Sequence, residues 1–116
     1  MKSEKIVDFR PWGKFTQYTH NQKATVKIIE VKPQGKLSVQ RHKNRDELWV
    51  PLDVGLYALI GEETIRMLPN QEHFIPRGTV HSVENLSICK CRFLEIAFGD
   101  FDEDDIERLE DKYGRK

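Results

Sequence analysis

The feature that most limits how this chain can fold is a series of short, mostly alternating segments across residues 25–98, each cut off by a turn signal. Residues 25–32 alternate around Val26, Ile28 and Glu30 until Lys32-Pro33-Gln34-Gly35 stops them, and residues 36–42 alternate again. These two are expected as antiparallel neighbours. Residues 47–52, 56–60, 64–68, 73–75, 82–85 and 89–98 continue the series, broken by Asp53-Val54-Gly55, Gly61-Glu62-Glu63 and Pro69-Asn70-Gln71. Seven or eight strands with a turn roughly every eight to twelve residues predict an all-β sandwich or barrel. Nothing between them supplies the crossover helices of a parallel sheet. The last segment is nearly continuously apolar over Phe93, Leu94, Ile96, Ala97 and Phe98, which predicts a central strand.

The two flanks differ from this middle. Residues 1–24 are polar around one island, Phe9-Arg10-Pro11-Trp12-Gly13-Lys14-Phe15, and are expected as an extended arm with its aromatics anchored on the domain surface. At the other end, Asp102 to Asp105 suit a helix N-terminus, Lys112 and Arg115 its C-terminus, and Gly114 a stop. Ile106, Leu109 and Tyr113 would form one apolar stripe, so residues 100–116 are expected as a short helix. With 116 residues there is material for one core. A single domain is expected, with the arm over 1–24, the barrel over 25–99 and the helix over 100–116.

Charge and composition remove several function classes. Nineteen basic and nineteen acidic side chains cancel, so nucleic acid is not an expected partner. No apolar run approaches the roughly 18 residues of a membrane span, and Met1-Lys2-Ser3-Glu4-Lys5 lacks the apolar segment of a signal peptide, so a cytoplasmic protein is expected. Cys89 and Cys91 lie two apart without a partner pair spaced for zinc, and are expected as reduced, packed thiols.

The candidate chemistry sits in Gln40-Arg41-His42-Lys43-Asn44-Arg45-Asp46-Glu47 and Pro76-Arg77-Gly78-Thr79-Val80-His81. Gln40, His42, Glu47 and His81 supply one amide oxygen, two imidazoles and a carboxylate, a plausible set for one divalent metal ion. On a strand Gln40 and His42 share a face, with Leu37, Val39 and Arg41 on the other. Glu47 has the wrong parity for that face unless an irregular residue between 43 and 46 swings it back. The competing reading is that Ser38, Gln40 and His42 are the wet face of an antiparallel sheet. For His81 it is a buried imidazole bonded to a turn carbonyl.

Taken together, the two segments resemble those of the cupin superfamily, small double-stranded β-helix barrels that carry a metal at the barrel mouth. Pro76, Gly78, His81 and Asn85 match its second motif, with Asn70 where a glycine is usual. Gln40, His42 and Glu47 match the first with one change. That change, with Arg10-Pro11-Trp12-Gly13 and the closing Tyr113-Gly114-Arg115, is similar to the isomerase domain of type II mannose-6-phosphate isomerases, a domain often fused behind a mannose-1-phosphate guanylyltransferase. Asn44 and Ser82 stand where that family usually has His and Arg.

The resemblance implies a jelly-roll-like cupin barrel and a metal-dependent aldose–ketose isomerase acting on a sugar phosphate in mannose or polysaccharide precursor metabolism. Gln40, His42, Glu47 and His81 would hold the ion. Zinc is the first expectation, with manganese, iron, cobalt and nickel open. Arg45, Lys43 and Arg10 are the candidate phosphate contacts. No general base is assigned; Lys43, Glu47 and His73 are each within the reasoning. Guanylyl transfer is not expected, because the chain has no Gly-rich nucleotide segment. The alternatives are a metal-containing cupin that binds a sugar without isomerising it, and an accessory subunit to a separate nucleotidyltransferase. The apolar pair Leu37 and Val39, read as outward-facing, further predicts a homodimer.

Overall fold

The computed structural model describes residues 5–115. Residues 1–4 and 116, the ends of the expected arm and helix, lie outside the described residues. Along the chain run β1 (Ile6–Arg10), β2 (Gly13–Gln17), β3 (Ala24–Val31), β4 (Val39–Arg41), β5 (Arg45–Pro51) and β6 (Leu56–Ile60). They are followed by β7 (Glu63–Arg66), β8 (His73–Ile75), β9 (His81–Asn85), β10 (Cys91–Gly99) and β11 (Glu107–Glu110). Among the described residues there is no helix, and so none long and apolar enough to cross a membrane.

Two antiparallel sheets enclose the core, one of four strands in the order β3-β10-β5-β8 and one of five in the order β11-β4-β9-β6-β7. Trp49, Phe93 and Ile75 from the first sheet meet Leu56, Ala58 and Val83 from the second, all essentially without exposure. Alternation sets this packing. The register opposes Trp49 to Glu95 and Glu95 to Lys27, which places these three on the inner face with Phe93 and Ile29. The residues between them, Leu48 and Ile96, form a second apolar cluster on the outer face with Phe98, Val50, Phe74 and Tyr18. The expected central strand is β10, flanked by β3 and β5.

Several expectations are corrected. First, the pair expected over residues 25–42 does not form, because β3 pairs with β10 while β4 pairs with β9 and β11, and the chain crosses between sheets at Lys32 to Leu37. Second, residues 6–17 fold as a hairpin of their own, with Phe9 and Trp12 74% and 73% exposed rather than anchored.

Third, the C-terminal helix is replaced by β11. Its expected capping acids are used elsewhere: Asp105 accepts the backbone N–H groups of Lys43 and Asn44, both at 2.9 Å, and its own N–H closes a turn onto the Asp102 carbonyl. The next residues pair with β4, whose outer edge would otherwise leave its ladder groups unmet. Fourth, Val39 is buried and Leu37 packs against the core, so neither supplies an outward apolar face. The exposed apolar residues of this kind are Val26 and Ile28 on β3. Both cysteines are free thiols, but only Cys91 is buried; Cys89 is exposed.

Candidate metal centre

His42 follows β4 directly, Glu47 lies on β5, and His81 opens β9. Strands β4 and β9 belong to the five-stranded sheet and β5 to the four-stranded one, so the carboxylate faces the histidines across the barrel interior. The parity problem posed by Glu47 is resolved by a turn rather than a bulge: irregular residues 42–44 carry the chain from one sheet to the other.

Backbone contacts fix the two segments to each other. The turn after β8 closes with the Thr79 N–H on the Pro76 carbonyl, and Gly78 takes a left-handed φ of 83° within it. The Gly78 N–H then donates to the His42 carbonyl at 2.7 Å, and the Arg77 N–H to the Asp46 carboxylate at 2.7 Å. Asn70, where the family usually has glycine, has a φ of 72°, a conformation asparagine tolerates better than most residues.

One ligand atom from each of His42, Glu47 and His81 lies within 4.8 Å of the others, and all three residues are buried. The histidine Nδ1 atoms sit 2.7 Å from the Asp105 carbonyl and 2.9 Å from the Thr79 carbonyl. A carbonyl only accepts, so each ring donates through Nδ1 and a neutral ring keeps its lone pair on Nε2. Those Nε2 atoms face one another at 3.2 Å, with the Glu47 carboxylate 3.3 Å from one and 3.8 Å from the other. Two lone pairs and an anion at these distances make a cradle for a cation, and the donor set suits a divalent metal.

Protonation agrees with that fit. Burial lowers the pKa of both His42 and His81 despite the opposing pull of Glu47, which keeps the imidazoles neutral. Trp49 donates its indole N–H to Glu47 at 3.1 Å, and Arg45 donates to the other carboxylate oxygen at 3.0 Å. Arg45 also reaches His42 Nε2 at 3.2 Å and the Asp102 carbonyl at 3.1 Å, with its guanidinium over the Phe101 ring.

A cavity of about 190 Å³ opens over this group, lined among others by Gln40, Arg45, Lys27, Glu95 and Arg108. Gln40 pairs with His81 across the β4–β9 ladder; its amide nitrogen is held by Ser38, which leaves Oε1 as its donor atom for ligation. Other candidates stand apart. Lys43 lines a different groove with Arg41 and Asp104, and Arg10 is an exposed side chain paired with Asp8 in the hairpin. His73 lies opposite Trp49 at the far edge of its sheet and does not line the cavity. Asn44 is exposed, and Ser82 points to the other face of β9, bonded to the Leu37 carbonyl. Neither Asn44 nor Ser82 therefore lines the cavity.

The cavity also holds residues that the sequence pattern left unassigned. Glu95 sits beside Glu47 with its carboxyl pushed up to about 8, first by burial and then by the Glu47 charge. Its signal was available: Glu95 is the single charge inside the apolar run 93–98, and a strand buried on both faces rarely carries one without a use. Lys27 pairs with Glu103 at 2.9 Å at the rim. Arg108 was hidden inside the expected helix.

Comparison with known proteins identifies the family and the fold. Residues 2–111 match the family described as mannose-6-phosphate isomerase C-terminal. The xanthan biosynthesis protein XanB of Xanthomonas campestris is 37% identical over 108 residues, covering 92% of this chain and 23% of the relative. The alginate biosynthesis protein AlgA of Pseudomonas aeruginosa is 36% identical, covering 92% of this chain and 22% of its own length. The chain thus spans less than a quarter of these relatives. Among solved structures, the capsular polysaccharide assembling protein CapF from Staphylococcus aureus superposes with a TM-score of 0.66 at 18% identity, over 93% of this chain and 33% of that one. A cupin protein from Bacteroides fragilis gives 0.60 at 19% identity, over 66% and 65%. At such identities the structures speak for the fold, which is a cupin β-barrel. By sequence, the chain belongs to the mannose-6-phosphate isomerase C-terminal family.

Proposed function

We propose that this protein is a divalent-metal-dependent sugar-phosphate isomerase of the mannose-6-phosphate type. The observation that carries the reading is the convergence of His42, Glu47 and His81 at one end of a small cavity whose walls also present Lys27, Arg45 and Arg108. Cations and metal donors in one cavity suit a ligand with oxygens to coordinate and a phosphate to neutralise.

Gln40 completes the proposed ligand set through Oε1, and zinc is the first candidate. When bound, such an ion polarises the two adjacent substrate oxygens and stabilises the negative charge that develops as a proton moves between their carbons. The protein's own groups supply the rest. Nδ1–H bonds to the Asp105 and Thr79 carbonyls fix the ring orientations, Trp49 and Arg45 fix the carboxylate, and the apolar core beneath excludes water. In this reading the product feeds a polysaccharide precursor in the cytoplasm, in keeping with relatives named for xanthan and alginate biosynthesis.

The homodimer expected from the sequence belongs to the proposal on different residues. Strand β3 is a sheet edge, and its outward Val26 and Ile28 are 59% and 62% exposed. Packing this outer face against that of a second copy across a twofold axis would cover them. Sedimentation as a monomer at micromolar concentration would exclude it.

The deciding experiment measures fructose 6-phosphate formed from mannose 6-phosphate by metal-stripped protein reloaded with zinc, manganese, cobalt or nickel in turn. Turnover with one of these ions that disappears in His81→Ala is the expected result. No turnover with any ion, on protein binding one ion per chain, would overturn the isomerase reading and leave a metal-containing binding protein.

A further inference from the structure

The five-stranded sheet carries one row of inward residues across four strands. Arg108 on β11 lies opposite Gln40 on β4, Gln40 opposite His81 on β9, and His81 opposite Ile60 on β6. Residues directly opposite on antiparallel strands point to the same face, so Arg108 enters the cavity two strands from a metal donor. The register shifts just after it, between Arg108 and Glu110, and such an irregularity re-aims a side chain while ending regular pairing.

The four cations lining this cavity differ in their partners. Lys27 is held by Glu103, Arg45 by Glu47 and the Asp102 carbonyl, and Arg115 by Asp111. Arg108 Nε is buried and has no hydrogen-bond partner among the described residues. A buried guanidinium N–H without an acceptor is costly, and a bound anion inside the cavity is the natural way to relieve it. The planar fork of an arginine matches two phosphate oxygens, with the charge on both sides strengthening each bond.

We propose that Arg108 is the principal phosphate-binding residue of this cavity, receiving the phosphate of the sugar phosphate while its other end lies at His42, Glu47 and His81. Lys27, at the rim and already shared with Glu103, contributes long-range charge rather than a dedicated contact. The inference rests on the sugar-phosphate reading above and narrows it: the substrate is a monophosphate ester small enough for the cavity, and phosphate selection depends on β11 rather than on Lys43 or Arg10.

The test is calorimetric binding of mannose 6-phosphate, mannose and inorganic phosphate to zinc-loaded protein, for the native chain, Arg108→Gln and Arg108→Lys. The expected result is a loss of roughly 10–100-fold in mannose 6-phosphate affinity in Arg108→Gln, the span expected of a charge-assisted contact. Mannose affinity and zinc stoichiometry should stay unchanged, with partial recovery in Arg108→Lys. Arg108→Gln removes a guanidinium whose Nε has no partner among the described residues, together with its charge near Glu103, and unchanged zinc stoichiometry reports an intact fold. Equal weakening of mannose and mannose 6-phosphate, undiminished mannose 6-phosphate binding, or native protein that binds no phosphate ligand would each overturn the inference. If the phosphate discrimination holds but no metal supports turnover, the isomerase reading falls and the assignment of Arg108 stands.

Discussion

Gly78 donates its backbone N–H to the carbonyl of His42 at 2.7 Å, joining the turn that positions one candidate metal-ligating histidine, His81, to the other. The bond needs the left-handed φ of 83° at residue 78, and an added Cβ there would meet nothing within 4 Å. Gly78→Ala therefore carries a conformational penalty alone, about 1–2 kcal/mol. A lowered thermal midpoint with near-native zinc stoichiometry is expected; an unchanged midpoint would show that the turn relaxes freely.

His42→Ala and His81→Ala each remove a donor atom from the centre. Zinc affinity should fall by more than the roughly 10–100-fold typical of residues that only orient ligands. Asn44→His, which restores the usual family residue, should alter affinity by less than about twofold, because residue 44 is exposed outside the cavity. Equilibrium dialysis against a zinc buffer measures all three, and a gain of a second ion in Asn44→His would place that side chain in the site after all.

The pH dependence of metal binding follows from the neutral imidazoles. Burial holds both histidines below their ordinary value of 6.5, so protons compete with the metal only in more acid solution. The histidines' contribution to affinity should be level above about pH 6.5 and fall below it, by up to about a hundredfold per pH unit once both rings titrate. Decline beginning well above that point would mean that at least one ring is charged in the native state.

Glu95 predicts a pH effect of opposite sense on the metal-free protein. Its folded-state pKa is raised from 4.5 to about 8, so folding favours the protonated carboxyl. That contribution is complete below about 4.5, declines as the unfolded chain loses the proton that the folded one keeps, and is gone above about 8. The buried histidines act at the acid end, where they must charge on unfolding. Comparing thermal midpoints with Glu95→Gln isolates the carboxyl: the native protein should lose ground to the variant steadily between pH 5 and pH 8. Parallel curves would refute the assignment.

Asn85 is fully buried and donates to the carbonyls of Val31 and Cys89 while accepting from the Ser87 N–H and hydroxyl. Asn85→Ala orphans several of these groups at once, at a cost of roughly 2–4 kcal/mol. The urea midpoint should fall accordingly. Zinc stoichiometry should not, since Asn85 lies at the other end of β9 from His81.

Much of the barrel was legible because its signals are local. The short apolar run over residues 56–60 and the turn residues Gly61 and Gly78 act within a few positions, and β6 and the 76–79 turn lie where those signals put them. The candidate donors were legible by residue type, and three of them, His42, Glu47 and His81, meet in one buried group. Pairing partners were not. Residues 25–31 and 39–41 look like a hairpin, yet each finds its partners in a different sheet.

Residues 102–115 show where the boundary falls. Taken alone, their acids, apolar spacing and closing glycine satisfy the rules for a short helix, and no local feature argues against it. In the folded chain the open edge of β4 offers ladder groups that need partners, and the N–H groups of Lys43 and Asn44 claim Asp105. Sequence by itself determined the strand periodicity, most of the turn positions and the candidate donors. Only the tertiary structure decided that Glu47 faces His42 from another sheet and that Arg108 lies in a row with Gln40 and His81. The row joins residues 41 and 68 positions apart, Gln40 with His81 and Arg108 with Gln40, and Glu47 meets His42 because the intervening turn changes sheets; both are set by which backbone edges and apolar faces remain to be covered once the barrel closes.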